Sequence, residues 1–168
     1  MIWETERLTL RPLALADLDA LHEMYRDPGV MQYITGRPRS YDETRDRLAH
    51  HVADFERHGF GFYAAVLKSS GAMVGRCGLE PVPAPRGLQG ELAWMFAPAV
   101  WGQRLASEFA PAMIRHGFAR FPIVRMFATA DHRNAASIRV MRTSGMTLVR
   151  TDARGVEYEI WPPPRDPP

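Results

Sequence analysis

Cysteine and lysine are almost missing from this chain: each occurs once, as Cys77 and Lys68. A lone cysteine excludes an internal disulfide and agrees with a reducing compartment. The other basic side chains are all arginine, whose planar fork grips anions at two points better than lysine's point charge. No apolar run is long enough to span a membrane, and Met1 to Arg7 lacks the basic-then-apolar order of a signal peptide. A cytoplasmic location with no membrane partner is expected. Runs of one charge sign are also missing, and a net charge of +2 with interspersed acids gives no footprint of a nucleic-acid binder. A polyanionic small molecule would suit that balance equally well.

What is present belongs to an ordinary globule. Hydrophobic residues make up 46% of 168, enough to bury a proper core in one domain. That domain is expected over residues 1–161, followed by a Pro-rich tail, 162–168, that cannot pair in a sheet. Arg7 to Arg11 alternates like a half-buried strand that Pro12 closes. Leu18, Leu21 and Tyr25 recur at helical spacing before Asp27-Pro28-Gly29 stops them. Val30 to Pro38 reads as irregular. Ser40 and Glu43 form a capping box for a second helix ended by Gly59. Three strands are expected at Gly61 to Leu67, Met73 to Leu79 and Leu88 to Phe96, with Pro81 to Gly87 as a loop. A long helix to Arg120, a strand from Val124 to Ala130, a helix capped by Asn134, and a hairpin ending at Trp161 complete the order. The helix crossover requires the strands ending at Phe96 and Ala130 to be parallel, within a mixed α/β sheet.

The most informative stretch is Glu91 to Ala119, where a buried strand feeds a helix through Pro98 to Ala106. The first turn of a helix has N–H groups without internal acceptors, and its dipole favours negative charge, so a pyrophosphate is the natural guest.

The Trp101-Gly102-Gln103-Arg104-Leu105-Ala106 loop, the later Asn134-Ala135-Ala136-Ser137-Ile138-Arg139-Val140-Met141 helix and the order of elements resemble the GNAT superfamily of N-acetyltransferases. Within it they resemble the branch of ribosomal-protein N-terminal alanine acetyltransferases. The likeness runs from Thr5-Glu6-Arg7-Leu8 to Tyr158-Glu159-Ile160-Trp161. It implies a mixed, mostly antiparallel twisted sheet with helices on both faces, and acetyl-CoA as co-substrate. It also implies direct attack by a primary amine, of a protein N-terminus or a small molecule, and allows a homodimer.

The family's acetyl-CoA loop, Gln/Arg-x-x-Gly-x-Gly/Ala, would fall on Trp101 to Ala106. It places Gly102, Gln103, Arg104, Leu105 and Ala106 at the pyrophosphate, with Ser107 as a first-turn hydroxyl or a simple cap. Trp101 replaces the first polar residue, and Arg104 stands where glycine is usual, either crowding a phosphate or pairing with it. Met95 and Phe96 match positions whose backbone pairs with the pantetheine arm, and an N–H near Met95 would stabilise the oxyanion. Asn134 would cap its helix and bond the pantetheine amide. Many members carry a Tyr seven residues later as general acid; here Met141 has no proton to give. Ser137, which matches the branch, is the substitute donor to sulfur, unless it only bonds its own helix. Glu91 matches the branch's strand glutamate and is the candidate base, with a salt bridge as its competing role and Glu80 as second candidate. Tyr33, Ile34 and Tyr41 fall in the acceptor region.

Weaker signals remain. His50, His51 and His58 show no ligand spacing to carboxylates, so no metal is expected. His132 and Arg133 are either phosphate contacts or a solvated loop, and Cys77 reads as core. Arg104 and the missing Tyr leave one alternative, a non-catalytic acyl-CoA-binding module.

Overall fold

The computed structural model describes residues 1–85 and 87–163; Arg86 and most of the expected Pro-rich tail, 164–168, lie outside the described residues. In chain order come β1 (Trp3–Glu4), β2 (Leu8–Pro12), α1 (Leu18–Tyr25), α2 (Pro28–Met31) and α3 (Tyr41–His58). There follow β3 (Phe62–Leu67), β4 (Met73–Ala84), β5 (Gly87–Phe96), α4 (Leu105–Arg120), β6 (Ile123–Ala130), α5 (Ala135–Thr143), β7 (Thr147–Asp152) and β8 (Gly155–Ile160). The strands form one open sheet in the order β1-β2-β3-β4-β5-β6-β8-β7. All neighbours are antiparallel except β5 and β6, the parallel step that the helix crossover demands.

Local chemistry accounts for the ends of α3. The Ser40 Oγ accepts the Glu43 N–H at 3.2 Å, and the Glu43 carboxylate accepts the Ser40 N–H at 2.8 Å. Gly59 closes the helix at φ 73°, a left-handed conformation that glycine adopts without a Cβ clash.

Two expectations need correction. The stretch expected to be irregular is preceded and entered by α2, a single turn that Asp27 caps by accepting the Gly29 and Val30 N–H groups. The expected loop at Pro81–Gly87 is mostly strand, because β4 continues through both prolines to Ala84. The Leu79 N–H donates to the Gly61 carbonyl at 3.1 Å, so residues 79, 81 and 83 turn their main-chain groups toward β3. β3 reaches only to Gly78, so the missing proline N–H groups face an open edge where no partner is lost.

Helices cover both faces. Beneath α4 and α5, Leu79, Leu92, Phe109, Met113, Met126 and Met141 belong to one large apolar cluster. Beneath α1 to α3 a smaller cluster holds Leu21, Tyr25, Met31, Leu48, Phe62 and Met95.

Candidate active site

β5 and β6 pair from Leu88↔Ile123 to Glu91↔Phe127 and then part, although both strands continue. A cleft of about 950 Å³ opens at this fork. Its walls are the α2 segment with Tyr33 and Ile34, the end of β5, the loop before α4, and the first turns of α4 and α5. The register fixes which groups of β5 face the gap. The Ala97 N–H donates to Val74 O at 2.8 Å and Met95 pairs with Arg76, so residues 95 and 97 turn their main-chain groups toward β4. Trp94 and Phe96 therefore turn theirs toward the gap. The Phe96 carbonyl accepts the Trp101 indole N–H at 2.7 Å, which leaves the Phe96 N–H and both main-chain groups of Trp94 open to a guest.

The loop offers a second set of donors. Gln103 N–H turns back to Val100 O and its side chain to Ala99 O, so Gln103 does not line the cleft. Gly102, Arg104, Leu105, Ala106 and Ser107 all line it. No described acceptor meets the N–H groups of Gly102 or Arg104, and those of residues 105–107 are first-turn groups without helical acceptors. Arg104 holds φ 62°, the only positive φ outside glycine among the described residues. Its exposed guanidinium makes no ion pair with a described residue. The loop is pinned from β2's side. Glu108 accepts from Thr5 Oγ1 (2.5 Å), Arg7 N (2.8 Å) and Arg7 Nε (2.6 Å), while Arg7 Nη1 donates to Gln103 O at 2.8 Å.

Opposite stands α5. The Asn134 Oδ1 accepts the Ser137 N–H at 3.1 Å, and the Asn134 Nδ2 has no described partner. The half-buried Ser137 hydroxyl bonds no described residue and lines the cleft. Met141 is fully buried in the core, so that turn supplies no acid.

Glu91 lies at the crotch of the fork rather than in the cleft wall, and accepts from Thr129 Oγ1 at 2.9 Å. Burial pushes its carboxyl above the ordinary range, against the pull of Thr129, with Glu80 and Glu157 adding to the rise. Neighbouring carboxylates are neutralised: Arg47 Nη2 reaches both Glu80 oxygens (2.7 and 2.9 Å), and Arg125 binds Glu157 and Glu159. Among these four glutamates Glu91 alone lacks a cationic partner among the described residues.

Comparison with known proteins decides the family. Residues 7–147 match the Acetyltransferase (GNAT) domain. The chain belongs to the GNAT acetyltransferase family. The uncharacterized protein YkkB of Bacillus subtilis (strain 168) is 31% identical over 148 residues, covering 88% of this chain and 86% of that protein. A crystal structure of an acetyltransferase from Agrobacterium tumefaciens superposes with TM-score 0.81 at 27% identity, covering 95% of this chain and 94% of that one. RimL, a ribosomal L7/L12 alpha-N-protein acetyltransferase solved with coenzyme A, shares the fold at TM-score 0.81 and 19% identity, covering 96% and 98%. The protein is thus an N-acetyltransferase by family, and acetyl-CoA is the acyl donor that family uses.

The GNAT fold brings together Met95, Phe96, Gly102, Arg104, Leu105, Ala106, Ser107, Asn134, Ser137, Tyr33 and Ile34 around one cleft. It leaves Tyr41 outside, exposed, donating to Asp19 Oδ1 at 2.7 Å. Arg133 is spent on Asp131, and His132 bonds Asp152 O at 2.7 Å. Cys77 is fully buried, and burial pushes its thiol well above the ordinary range. His50 meets Asp54 and Glu80 despite the unpromising spacing, but both Glu80 oxygens are already held by Arg47. The sequence reading missed Trp94, whose main chain faces the gap; the alternation of β5 against β4 was the signal.

Proposed function

We propose that this chain binds acetyl-CoA at the fork and transfers acetyl to a primary amine by direct attack within a ternary complex. Unpaired N–H groups at Gly102 and residues 104–107 receive the pyrophosphate, helped by the α4 dipole and the free Arg104 guanidinium. The gap-facing groups of Trp94 and Phe96 take the pantetheine arm as an added strand, with Asn134 Nδ2 across from them. The Phe96 or Trp94 N–H is the oxyanion donor, one strand position away from Met95. Glu91, directly or through water, takes the proton that the ammonium must lose. A C–N bond forms, the C–S bond breaks, and Ser137 donates to the departing sulfur. A thiol's pKa of about 8.5 makes it a fair leaving group, so a modest donor suffices. Alignment of the two reactants supplies most of the acceleration.

The observation that carries this reading is the convergence of two unpaired main-chain donor sets on one cleft. A thiol-release assay with acetyl-CoA and a panel of peptides and small amines tests it. Intersecting initial-rate plots and no acetylated enzyme by mass spectrometry are expected. Coenzyme A binding without turnover of any amine would favour a binding module instead.

A further inference from the structure

Arg76 is 6% exposed, yet makes no hydrogen bond or ion pair with any described residue. Its Nε is fully enclosed and has no partner among the described residues. The guanidinium carbon lies 4.0 Å from the Phe62 ring centroid and 5.9 Å from that of Tyr25. Arg39, whose Nε is likewise enclosed and unpartnered, reaches the same Tyr25 ring at 5.6 Å. Beside them His51 is 1% exposed, and neither ring nitrogen bonds a described residue. Burial, reinforced by Arg76, Arg47 and Arg39, holds His51 neutral, so it supplies no counter-charge.

Arginines that brace this fold look different. Arg11 takes Asp17 through two hydrogen bonds, and Arg125 takes Glu157, Glu159 and Gln89. A buried cation without an anion is costly, and aromatic faces compensate only in part. Position matters as well. Arg76 is the cross-strand partner of Met95 in the cleft wall, and it shares a sheet face with Glu80 and Glu91. Four residues of β5, about 13 Å of strand, separate Met95 from Glu91. Arg76 and Glu91 thus stand about one small molecule's length apart on the same face, next to the cleft rather than in its wall.

We propose that Arg76, with Arg39 beside it, holds a carboxylate or phosphate group on the amine acceptor, making the acceptor a small anionic amine rather than a polyamine. This rests on the acetyl-transfer reading above. The anion would complete the ion pair that the protein leaves open, with Arg76 supplying the buried bond and Arg39 closing the outer side.

The test uses the full chain, acetyl-CoA and acceptor pairs differing in one anion. α-Amino acids are compared with their α-amides, and phosphoethanolamine with ethanolamine; the two arms separate carboxylate from phosphate. Wild type should prefer the anionic member by about tenfold or more in kcat/KM. That ratio should fall toward one in Arg76→Gln, through KM, and fall partway in the more exposed Arg39→Gln, which covers the case that Arg76→Gln does not fold. A wild-type ratio near one, or a ratio that survives both substitutions, overturns the proposal. Calorimetry of the same acids with coenzyme A-loaded protein separates the two readings. Arg76-dependent binding without any turnover keeps the anion subsite and removes acetyl transfer, whereas no binding removes the subsite.

Discussion

Beneath α4 and α5 the sheet rests on aliphatic, aromatic and methionine side chains, whereas the buried polar and charged residues Asp17, Thr44, His51 and Arg76 all lie on the side of α1 to α3. The dry face supports a donor loop made of main chain, which needs rigidity and tolerates side-chain change. The charged face carries Glu91, Glu80 and Arg76, the side chains proposed to govern protonation and recognition. On that proposal, support and selectivity sit on opposite sides of one sheet.

The largest expected effect comes from the charged face. Glu91→Gln keeps the Thr129 hydrogen bond and removes the proposed base, so kcat should fall about 10²- to 10⁴-fold. The wild-type rate should climb with pH through the raised Glu91 pKa, and the variant should lose that limb. Stability should move the other way. A carboxyl whose folded pKa is raised favours folding while protonated and loses that contribution as pH rises. Glu91→Gln should then match wild type in urea melts at about pH 4 and exceed it at about pH 8. Unchanged kcat would move the base elsewhere.

Next comes a paired stability test. Phe109, fully buried under α4, should cost about 3–5 kcal/mol as Phe109→Ala. His51→Leu removes two ring nitrogens that have no partner among the described residues, so it should be neutral or stabilising by about 1 kcal/mol. Equal losses in denaturant melts would erase the contrast between the faces.

A fourth substitution tests how the dry face holds the loop. Burial would raise the Glu108 carboxyl, but bonds from Thr5 and Arg7 outweigh it and hold the pKa below the ordinary range. Its contribution is thus complete at neutral pH and fades as pH falls through the lowered value. Glu108→Gln should raise the KM for acetyl-CoA about tenfold with kcat little changed, checked by steady-state kinetics. A loss in kcat alone would show that the latch does not position the loop.

The two faces also differ in what their residues reveal beforehand. Helical spacing, the Ser40–Glu43 box and the Trp101–Ala106 loop are local signals, and local structure obeys them. The parallel step followed from chain order alone. Glu91's lack of an ion-pair partner among the described residues did not, because it depends on Arg47 and Arg125 reaching other glutamates from α3 and β6. Arg76 gave no signal, since a single arginine on an apolar strand shows neither its burial nor its missing partner. Pro81 and Pro83 misled for the same reason: whether a strand edge is open is a fact about β3's length.

Arg104→Gly is the smallest change and the sharpest probe of the main-chain side. A left-handed arginine costs about 1–2 kcal/mol, while glycine returns about 0.4–1 kcal/mol of that through the freer unfolded chain. The net stabilisation should lie between about 0 and 1.6 kcal/mol, read as a small rise in Tm. Acetyl-CoA binding should respond in the opposite direction. The N–H donors survive the substitution, but the unpaired guanidinium at the cleft does not, so Kd should rise a few-fold and its salt dependence should flatten. Tighter binding by the glycine variant would mean that the side chain crowds the phosphates, and that the strain at φ 62° serves nothing in the cofactor site. Weaker binding would show that the main-chain wall depends on the Arg104 side chain as well, bringing to the dry face the same device that Arg76 is proposed to serve on the other.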